Sequence, residues 1–196
     1  MNYNELKKLI FFPAGIPSIY RIKLGMSVDE AECYQKELDA KKTDNYDIND
    51  MLNKYDVTVE EGFLEYHEYD DIMIVNNIDV FIPATELSEY DVRKLHEYIG
   101  YEMEAIEKKF SITTDADDSI KELDATLHAE LYDVSIRLNE DHDYIIISFC
   151  ANDNEDTIDM LRCISIISYY ETCLHKEFFD KLTEHIINQR QYYHYD

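Results

Sequence analysis

Apolar side chains recur every three or four residues along 89–109, a spacing that places them on one face of a helix. The residues of this predicted buried face are Val92, Leu95, Ile99, Met103 and Ile106. Ser88 precedes the segment, and its hydroxyl can accept a hydrogen bond from an unpaired amide of the first turn. The pattern predicts an amphipathic helix from about Glu89 to Lys109.

Shorter helices are predicted nearer the N-terminus, over 4–12, from residue 28 to about 42, and over 47–54. The second of these follows Ser27, with Glu30 three residues later. That spacing is typical of a capping box, in which each side chain satisfies an amide at the helix start. Pro13 ends the first helix, because proline lacks the amide hydrogen that a helix needs.

Strands are predicted where β-branched and aromatic residues concentrate or alternate with polar ones. These segments are 18–24, 58–69, 71–75, 78–82, 131–138 and 144–150. Asn76 and Asn77 lie between two of them and are expected to form a two-residue hairpin turn, since asparagine tolerates a positive φ. A polar turn over 139–143 is expected to join the last two strands.

Two further helices are predicted in the second half of the chain, over 118–128 and from about 155 to 189. The longer one is apolar on most sides between Ile158 and Leu174, so we expect it to be a central buried helix. It aligns with the helix over 89–109 at an offset of 68, with five identities in 20 positions. A β-β-α duplication is one interpretation, and chance likeness between helices of similar burial is the other.

The predicted fold class is α+β, with antiparallel β-hairpins packed on helices, a β-β-α quasi-repeat as one interpretation, and a long buried C-terminal helix. The length of 196 residues suits a single domain over 1–196, or two subdomains, 1–110 and 111–196. Aromatic residues make up 13% of the chain. That content argues against disorder, because disordered acidic chains are poor in aromatic residues.

The expected location is the cytoplasm of a bacterial host cell. No apolar run reaches the roughly 18 residues of a membrane span, and the first residues lack the apolar core of a signal peptide. The four cysteines are Cys33, Cys150, Cys163 and Cys173. They form no CxxC pair, so we expect reduced and mostly buried thiols.

Two segments carry the formal net charge of −25. Residues 44–91 hold 14 acidic side chains against Lys54 alone, a net of −13, and residues 111–159 hold 14 against Lys121 and Arg137, a net of −12. The other segments are near neutral, with +1 over 1–43, 0 over 92–110 and −1 over 160–196. Such a field costs stability through self-repulsion and favours a strongly basic partner over nucleic acid or an anionic membrane.

The sequence contains no recognisable catalytic or metal-binding motif. The acidic run over 115–122 resembles a calcium loop, but Ile120 and Thr126 stand where an EF-hand needs Gly and Glu. The seven histidines are scattered, and there is no HExxH, GxSxG or phosphate-binding glycine-rich loop. We therefore predict a protein that is not an enzyme and needs no metal or cofactor, with an unrecognised metal-dependent hydrolase as an alternative.

The candidate binding surface combines acidic residues with a tyrosine on the predicted strands and turns. Tyrosine supplies apolar contact area and carboxylates supply charge, a mixture that suits a protein interface. The segment 65–71 is the strongest candidate, because strand alternation places Glu65, His67 and Tyr69 on one face. The candidate residues are Glu60, Glu61, Glu65, Glu68, Tyr69, Asp70, Asp71, Asp115, Asp117, Asp118, Glu140, Asp141 and Asp143.

The predicted function is inhibition of a nucleic-acid-handling enzyme, with carboxylates taking the place of phosphates in a basic groove. In charge, size and lack of motifs the chain is similar to the small acidic inhibitors, anti-CRISPR or anti-restriction, that phages and mobile elements encode. The expected partner is a basic protein such as a nuclease or a CRISPR effector, and a homodimer is left open. The alternatives are an immunity or antitoxin protein that neutralises a basic toxin, and an acidic protein whose charge only maintains solubility.

Overall fold

The computed structural model describes residues 1–12, 15–55, 58–61, 73–110, 114–116, 125–152, 157, 161–162 and 164–165. It confirms the predicted α+β class with antiparallel sheets. The helices within these residues are α1 (Tyr3–Leu9), α2 (Val28–Asp39), α3 (Tyr46–Tyr55) and α4 (Glu89–Phe110). The strands are β1 (Ile10–Phe11), β2 (Ser18–Ile19), β3 (Ile22–Lys23), β4 (Thr58–Glu61), β5 (Asn77–Pro83), β6 (Thr114–Ala116), β7 (Ala125–Ala129), β8 (Tyr132–Leu138) and β9 (Tyr144–Ala151).

The larger sheet has six antiparallel strands in the order β4-β5-β9-β8-β7-β6. Strand β9 lies between β5 and β8. Its pairing with β5 ends at Pro83↔Tyr144, and its pairing with β8 ends at Leu138↔Ile145. Strands from both sides of residue 110 therefore lie in the same sheet. The smaller sheet contains β1, β2 and β3.

Side chains alternate between the two faces of the larger sheet, as strand geometry requires. One face supplies much of the hydrophobic core, and its residues are at most 1% exposed. These core residues are Ile78, Val80, Ile82, Val134, Ile136, Ile145, Ile147 and Phe149. The intervening residues form the outer face, which is more polar and includes Asp79, Asp133, Ser135 and Ser148.

Helix α4 confirms the prediction made from helical spacing. Val92, Leu95, Ile99 and Met103 are between 0% and 3% exposed, so the predicted apolar face is the buried one. The helix begins after Ser88, whose Oγ accepts a hydrogen bond from the Asp91 amide at 3.2 Å. The start of the helix is therefore capped as expected.

The first helix ends earlier than the sequence suggested. Asn2 caps α1, because its Oδ1 accepts hydrogen bonds from the amides of Asn4 and Glu5 at 3.0 and 3.2 Å. The prediction of a helix out to residue 12 is wrong, since Ile10 and Phe11 form β1 and Ile10 pairs with Ile19. Pairing with a neighbouring strand here overrides the local helical pattern.

The segment 18–24 is not the single strand that its alternation predicted. It is a tight hairpin in which β2 and β3 are joined by Tyr20 and Arg21, and Ile19 pairs with Ile22. Tyr20 has a φ of 56°, a left-handed conformation that is uncommon for a bulky residue. No sequence signal for a tight turn marks this position.

The region before β5 also differs from the prediction. Asn76 and Asn77 do not form a hairpin turn, because Asn77 begins β5 and Ile74 makes an isolated antiparallel bridge to Ser27. Ser27 does occupy the N-cap position of α2, but its side chain makes no capping hydrogen bond. The Ser27 capping box is therefore not formed, although the helix begins where predicted.

In the second half of the chain, the prediction of a helix over 118–128 is wrong for its last residues. Residues 125–129 form β7, which pairs with β8 from Ala125↔Ile136 to His128↔Asp133. Thr157, residues 161–162 and residues 164–165 are helical. The long C-terminal helix and the quasi-repeat stay predictions, because most of 155–189 lies outside the described residues.

The cysteine prediction needs one correction. Cys33 and Cys150 are both exposed rather than buried. Cys150 pairs in register with Asn77 and Asp133, and it alternates with the core residues Phe149 and Ala151. It therefore lies on the outer face of the sheet, because successive strand side chains point to opposite faces. Cys163 and Cys173 lie outside the described residues.

Candidate interaction surface

The turn between β8 and β9 is fixed by hydrogen bonds at its base. The Asn139 amide donates to the Tyr144 carbonyl at 2.9 Å, and the Tyr144 amide donates to Asn139 Oδ1 at 2.9 Å. Within the turn, the His142 amide donates to the Asn139 carbonyl at 3.0 Å, and His142 has a φ of 59°. The loop over 139–143, named here the acidic loop, therefore holds one backbone conformation at the end of the two central strands.

The acidic loop presents three of the predicted site residues together. Glu140, Asp141 and Asp143 are all exposed. Their carboxylates make no ion pair and no hydrogen bond with the side chains or backbone that the structure describes. Three negative charges within four residues thus face solvent on a defined backbone, where they are free to meet an external cation.

An aromatic pair lies beside the acidic loop. Phe81 and Tyr144 make an edge-to-face contact with their ring centroids 6.4 Å apart, and both are half-buried. The Ala84 amide donates to the Asp143 carbonyl at 2.8 Å, which ties the loop to the end of β5. Charge and apolar area are therefore adjacent at this end of the sheet, a combination found at protein interfaces.

The remaining described candidates lie elsewhere on the sheet. Glu60 and Glu61 are on β4, where Glu60 pairs in register with Asp79. Asp115 is on β6, where it pairs in register with His128. Since β4 and β6 are the opposite edges, five strand spacings, or about 24 Å, separate them. The described candidates thus form three separate groups, not one patch.

Seven candidates fall outside the part of the chain that the structure describes. They are Glu65, Glu68, Tyr69, Asp70, Asp71, Asp117 and Asp118. The segment 65–71 was the strongest candidate from the sequence. Because it lies outside the described residues, its role as a contact stays a prediction. The acidic loop becomes the best-defined of the three groups.

Charges on the helices are arranged differently from those of the acidic loop. Most of the described basic side chains there already contact an acid. The ion pairs are Lys8–Asp47 at 2.9 Å, Lys36–Glu32 at 3.3 Å, Arg93–Glu89 at 3.2 Å and Lys94–Glu97 at 2.5 Å. Exposed pairs of this kind contribute little stability, but they cancel the local field.

Sequence reasoning missed a polar cluster around Tyr20. Its hydroxyl lies 2.9 Å from Glu37 Oε2 and 2.5 Å from Asp44 Oδ1, and Arg21 pairs with Asp44. Burial, reinforced by the hydrogen bond to Asp44, raises the pKa of the Tyr20 hydroxyl well above its usual range. The cluster depends on the left-handed turn at Tyr20, so no pattern in the sequence could have revealed it.

The acidic residues of the outer face were also missed. Asp133 Oδ1 lies 3.1 Å from His128 Nδ1, and Asp79 accepts a hydrogen bond from Asn77 Nδ2 at 3.4 Å. Both aspartates lie in strands predicted from the sequence, and the alternation of apolar residues could have placed them on the solvent side. They extend the negative charge across the sheet between its two edges.

Comparison with known proteins identifies no family model, no curated protein and no solved structure that matches this chain. Among the described residues, no group of three or more His, Cys, Asp or Glu side chains is arranged to hold a metal ion. No helix in the described part of the chain is long and apolar enough to cross a membrane. The functional proposal therefore depends on charge and surface geometry alone.

Proposed function

We propose that this protein binds a strongly basic protein and inhibits a nucleic-acid-handling enzyme by occupying its basic groove. The observation that carries the proposal is the acidic loop, where Glu140, Asp141 and Asp143 are exposed on a hydrogen-bonded backbone. A preformed loop loses little conformational entropy on binding, so more of its interaction energy is kept as affinity.

Long-range attraction supports a basic partner. A net charge of −25 produces a field that steers a cationic surface toward the molecule and raises the association rate. A nucleic-acid groove is lined with the Lys and Arg side chains that neutralise phosphates. Carboxylates fixed on the acidic loop and along the sheet can pair with the same side chains.

Short-range contacts are needed to slow dissociation, because complementary charge contributes mainly to encounter and specificity. Phe81 and Tyr144 supply apolar and aromatic area next to the acidic loop. Tyrosine is enriched among the residues that dominate binding energy at interfaces. The proposed contact therefore has an acidic rim and a small aromatic centre.

The test begins with the intact protein immobilised and exposed to a panel of purified CRISPR effectors and restriction nucleases. Association and dissociation rates are measured at about 50 mM and about 500 mM NaCl, where screening differs strongly. We expect at least one enzyme to bind, with an association rate that falls steeply with salt. Addition of the protein should then reduce cleavage of DNA by that enzyme, and added DNA should compete with binding.

The variant that tests the loop is Glu140→Lys, Asp141→Lys and Asp143→Lys combined. Three reversals of two charge units each change the net charge from −25 to −19. We expect the dissociation constant to rise by at least about tenfold, equivalent to about 1.4 kcal/mol.

A matched control reverses three exposed acids on the helices, Asp29, Asp39 and Asp50, with the same change in net charge. The control should weaken binding by less than about threefold, since it alters only the long-range field. Equal weakening by both variants would reject the loop as the contact. Absence of binding to every enzyme in the panel, at low salt, would reject the proposed class of partner.

A further inference from the structure

The side of α4 that faces away from the core carries two exposed tyrosines. Tyr90 and Tyr101 are 67% and 71% exposed. They are eleven residues apart, and three helical turns span 10.8 residues, so they lie on nearly the same side of the helix. Large apolar rings in this position are available to a partner, while Leu95 and Ile99 on the opposite side are buried.

A glycine in the middle of α4 is the second observation. Gly100 destabilises the helix relative to alanine, because glycine loses more backbone entropy on folding. A Cβ added at Gly100 would meet no atom within 4 Å, so packing inside the described protein gives no reason for a glycine there. Close approach of another backbone from outside would give such a reason, as it does where helices cross closely.

Gly100 belongs to a row of residues that runs along the outward side of α4. Arg93, Glu97, Gly100 and Glu104 are spaced i, i+4, i+7 and i+11, which places them in one row next to the two tyrosines. Arg93, Glu97 and Glu104 are exposed. The row has a basic residue near its N-terminal end and acidic residues toward its C-terminal end.

The net charge of α4 favours a second copy of the chain over a basic protein as the partner at this face. Helix α4 over 89–110 holds six acids and four bases, a net of −2, whereas the chain carries −25. A basic partner is drawn mainly to the acidic segments and gains little attraction at α4. A second copy of the chain is repelled most by those segments, so the nearly neutral helix α4 is a place where two copies can approach each other.

We propose that the outward face of α4 is a self-association surface on which a second copy packs antiparallel, crossing at Gly100. This α4 face is defined by Tyr90, Arg93, Glu97, Gly100, Tyr101 and Glu104. An antiparallel pair sets the basic N-terminal part of each row against the acidic C-terminal part of the other and opposes the two helix dipoles favourably. The two-fold arrangement uses the same patch on both copies, as in most homodimers.

Sedimentation velocity on the full chain, from about 1 µM to about 1 mM protein, measures the dimer. The dimer fraction should rise between about 50 mM and about 500 mM NaCl, because salt screens the repulsion between two acidic copies. Binding to a basic partner should change in the opposite direction. The two proposals can therefore fail independently.

The decisive variant is Gly100→Gln, which adds a side chain that favours the helix. We expect the melting temperature of the dilute protein to rise by about 1–3 °C, since glutamine is the better helix former. The dimer dissociation constant should nevertheless increase by at least about tenfold, because the side chain blocks the crossing. A more stable protein that dimerises less cannot be explained by unfolding.

A matched pair of tyrosine variants locates the contact. Tyr101→Ala should also weaken the dimer, whereas Tyr46→Ala, which removes a ring that is 86% exposed on α3, should leave it unchanged. The proposal is overturned if the wild-type chain stays monomeric throughout both ranges. It is equally overturned if Gly100→Gln dimerises as the wild type does, or if both tyrosine variants have the same effect.

Discussion

The acidic loop and helix α4 are two exposed parts of one molecule that differ in how their charges are balanced. In the loop, Glu140, Asp141 and Asp143 lie on a fixed turn without a described counter-charge. On α4, Arg93 and Lys94 pair with acids one helical turn away. The net charge of −25 is therefore concentrated on particular surfaces, and nearly neutral surfaces such as α4 remain for other contacts.

Different interactions hold α4 and the acidic loop in place. Helix α4 is anchored by its apolar side, where Leu95, Ile99 and Met103 are fully buried. The loop has no such anchor and depends on the hydrogen bonds of Asn139 and on the bond from the Ala84 amide to the Asp143 carbonyl. The exposed ion pairs of α4 and the exposed carboxylates of the loop contribute little to stability, so they can serve binding.

The largest expected effect tests the anchor of α4. Ile99→Ala should lower the free energy of unfolding by about 2–5 kcal/mol, because it leaves a cavity in the core. Lys94→Gln, which removes an exposed ion pair, should cost at most about 1 kcal/mol. Urea denaturation measures both. If the two variants cost the same, the helix is not held mainly by its apolar face.

The next effect tests the anchor of the acidic loop. Asn139→Ala removes the acceptor of the Tyr144 amide, and we expect a loss of about 1–2 kcal/mol in the free energy of unfolding. Glu140→Ala in the same loop should change stability by less than about 0.5 kcal/mol. Equal effects in urea denaturation would mean that the loop conformation does not depend on the asparagine.

A smaller effect is expected at the start of α4, and it should depend on pH. Ser88→Ala should cost about 1 kcal/mol, the usual loss for an N-cap serine. The hydrogen bond from Ser88 and that from the Tyr3 amide at 2.9 Å hold the pKa of the Asp91 carboxyl below its ordinary 3.8. The folded state therefore favours the ionised form of this carboxyl.

The sign of the pH effect follows from that lowered pKa. Ionised Asp91 stabilises the folded state at pH values above the unfolded pKa, and this stabilisation is lost as the pH falls through the folded value. Asp91→Asn should therefore be less stable than the wild type at neutral pH, and the difference should shrink below about pH 4. Melting temperatures measured across that range would contradict the assignment if the difference grew in acid.

The smallest effect is expected from removing the loop charges. Glu140→Gln, Asp141→Asn and Asp143→Asn combined should change the free energy of unfolding by less than about 0.5 kcal/mol, or raise it slightly by relieving repulsion. The same variant should lose affinity for a basic partner. A large loss of stability would show that these carboxylates have a structural role.

Helix α4 was predictable because one buried face imposes a regular spacing, and its four described core residues are the expected ones. Strand β8 was predictable for the same reason, with a period of two, and β9 was predictable from its run of β-branched and aromatic residues. Residues 125–128 and 10–11 were assigned wrongly as helix, since these short segments become strands only by pairing with β8 and β2. Local propensity is too weak to oppose such pairing.

The candidate site was partly predictable. The sequence identified Glu140, Asp141 and Asp143 as acids in a turn, but not the aromatic pair beside them. Phe81 and Tyr144 are more than 60 positions apart and meet only because β5 and β9 are neighbours in the sheet. Equally, no pattern could indicate that Glu60 and Asp115 lie on opposite edges.

By itself, the sequence determined the fold class, the main amphipathic helix, the central hairpin and the concentration of charge in two segments. These follow from composition and short-range periodicity, which burial of apolar side chains enforces locally. Only the tertiary structure decided which acids lie together, which bases are neutralised, and that Gly100 has open space beside it. Those features depend on strand order and on contacts between distant residues, and neither is encoded in any local segment.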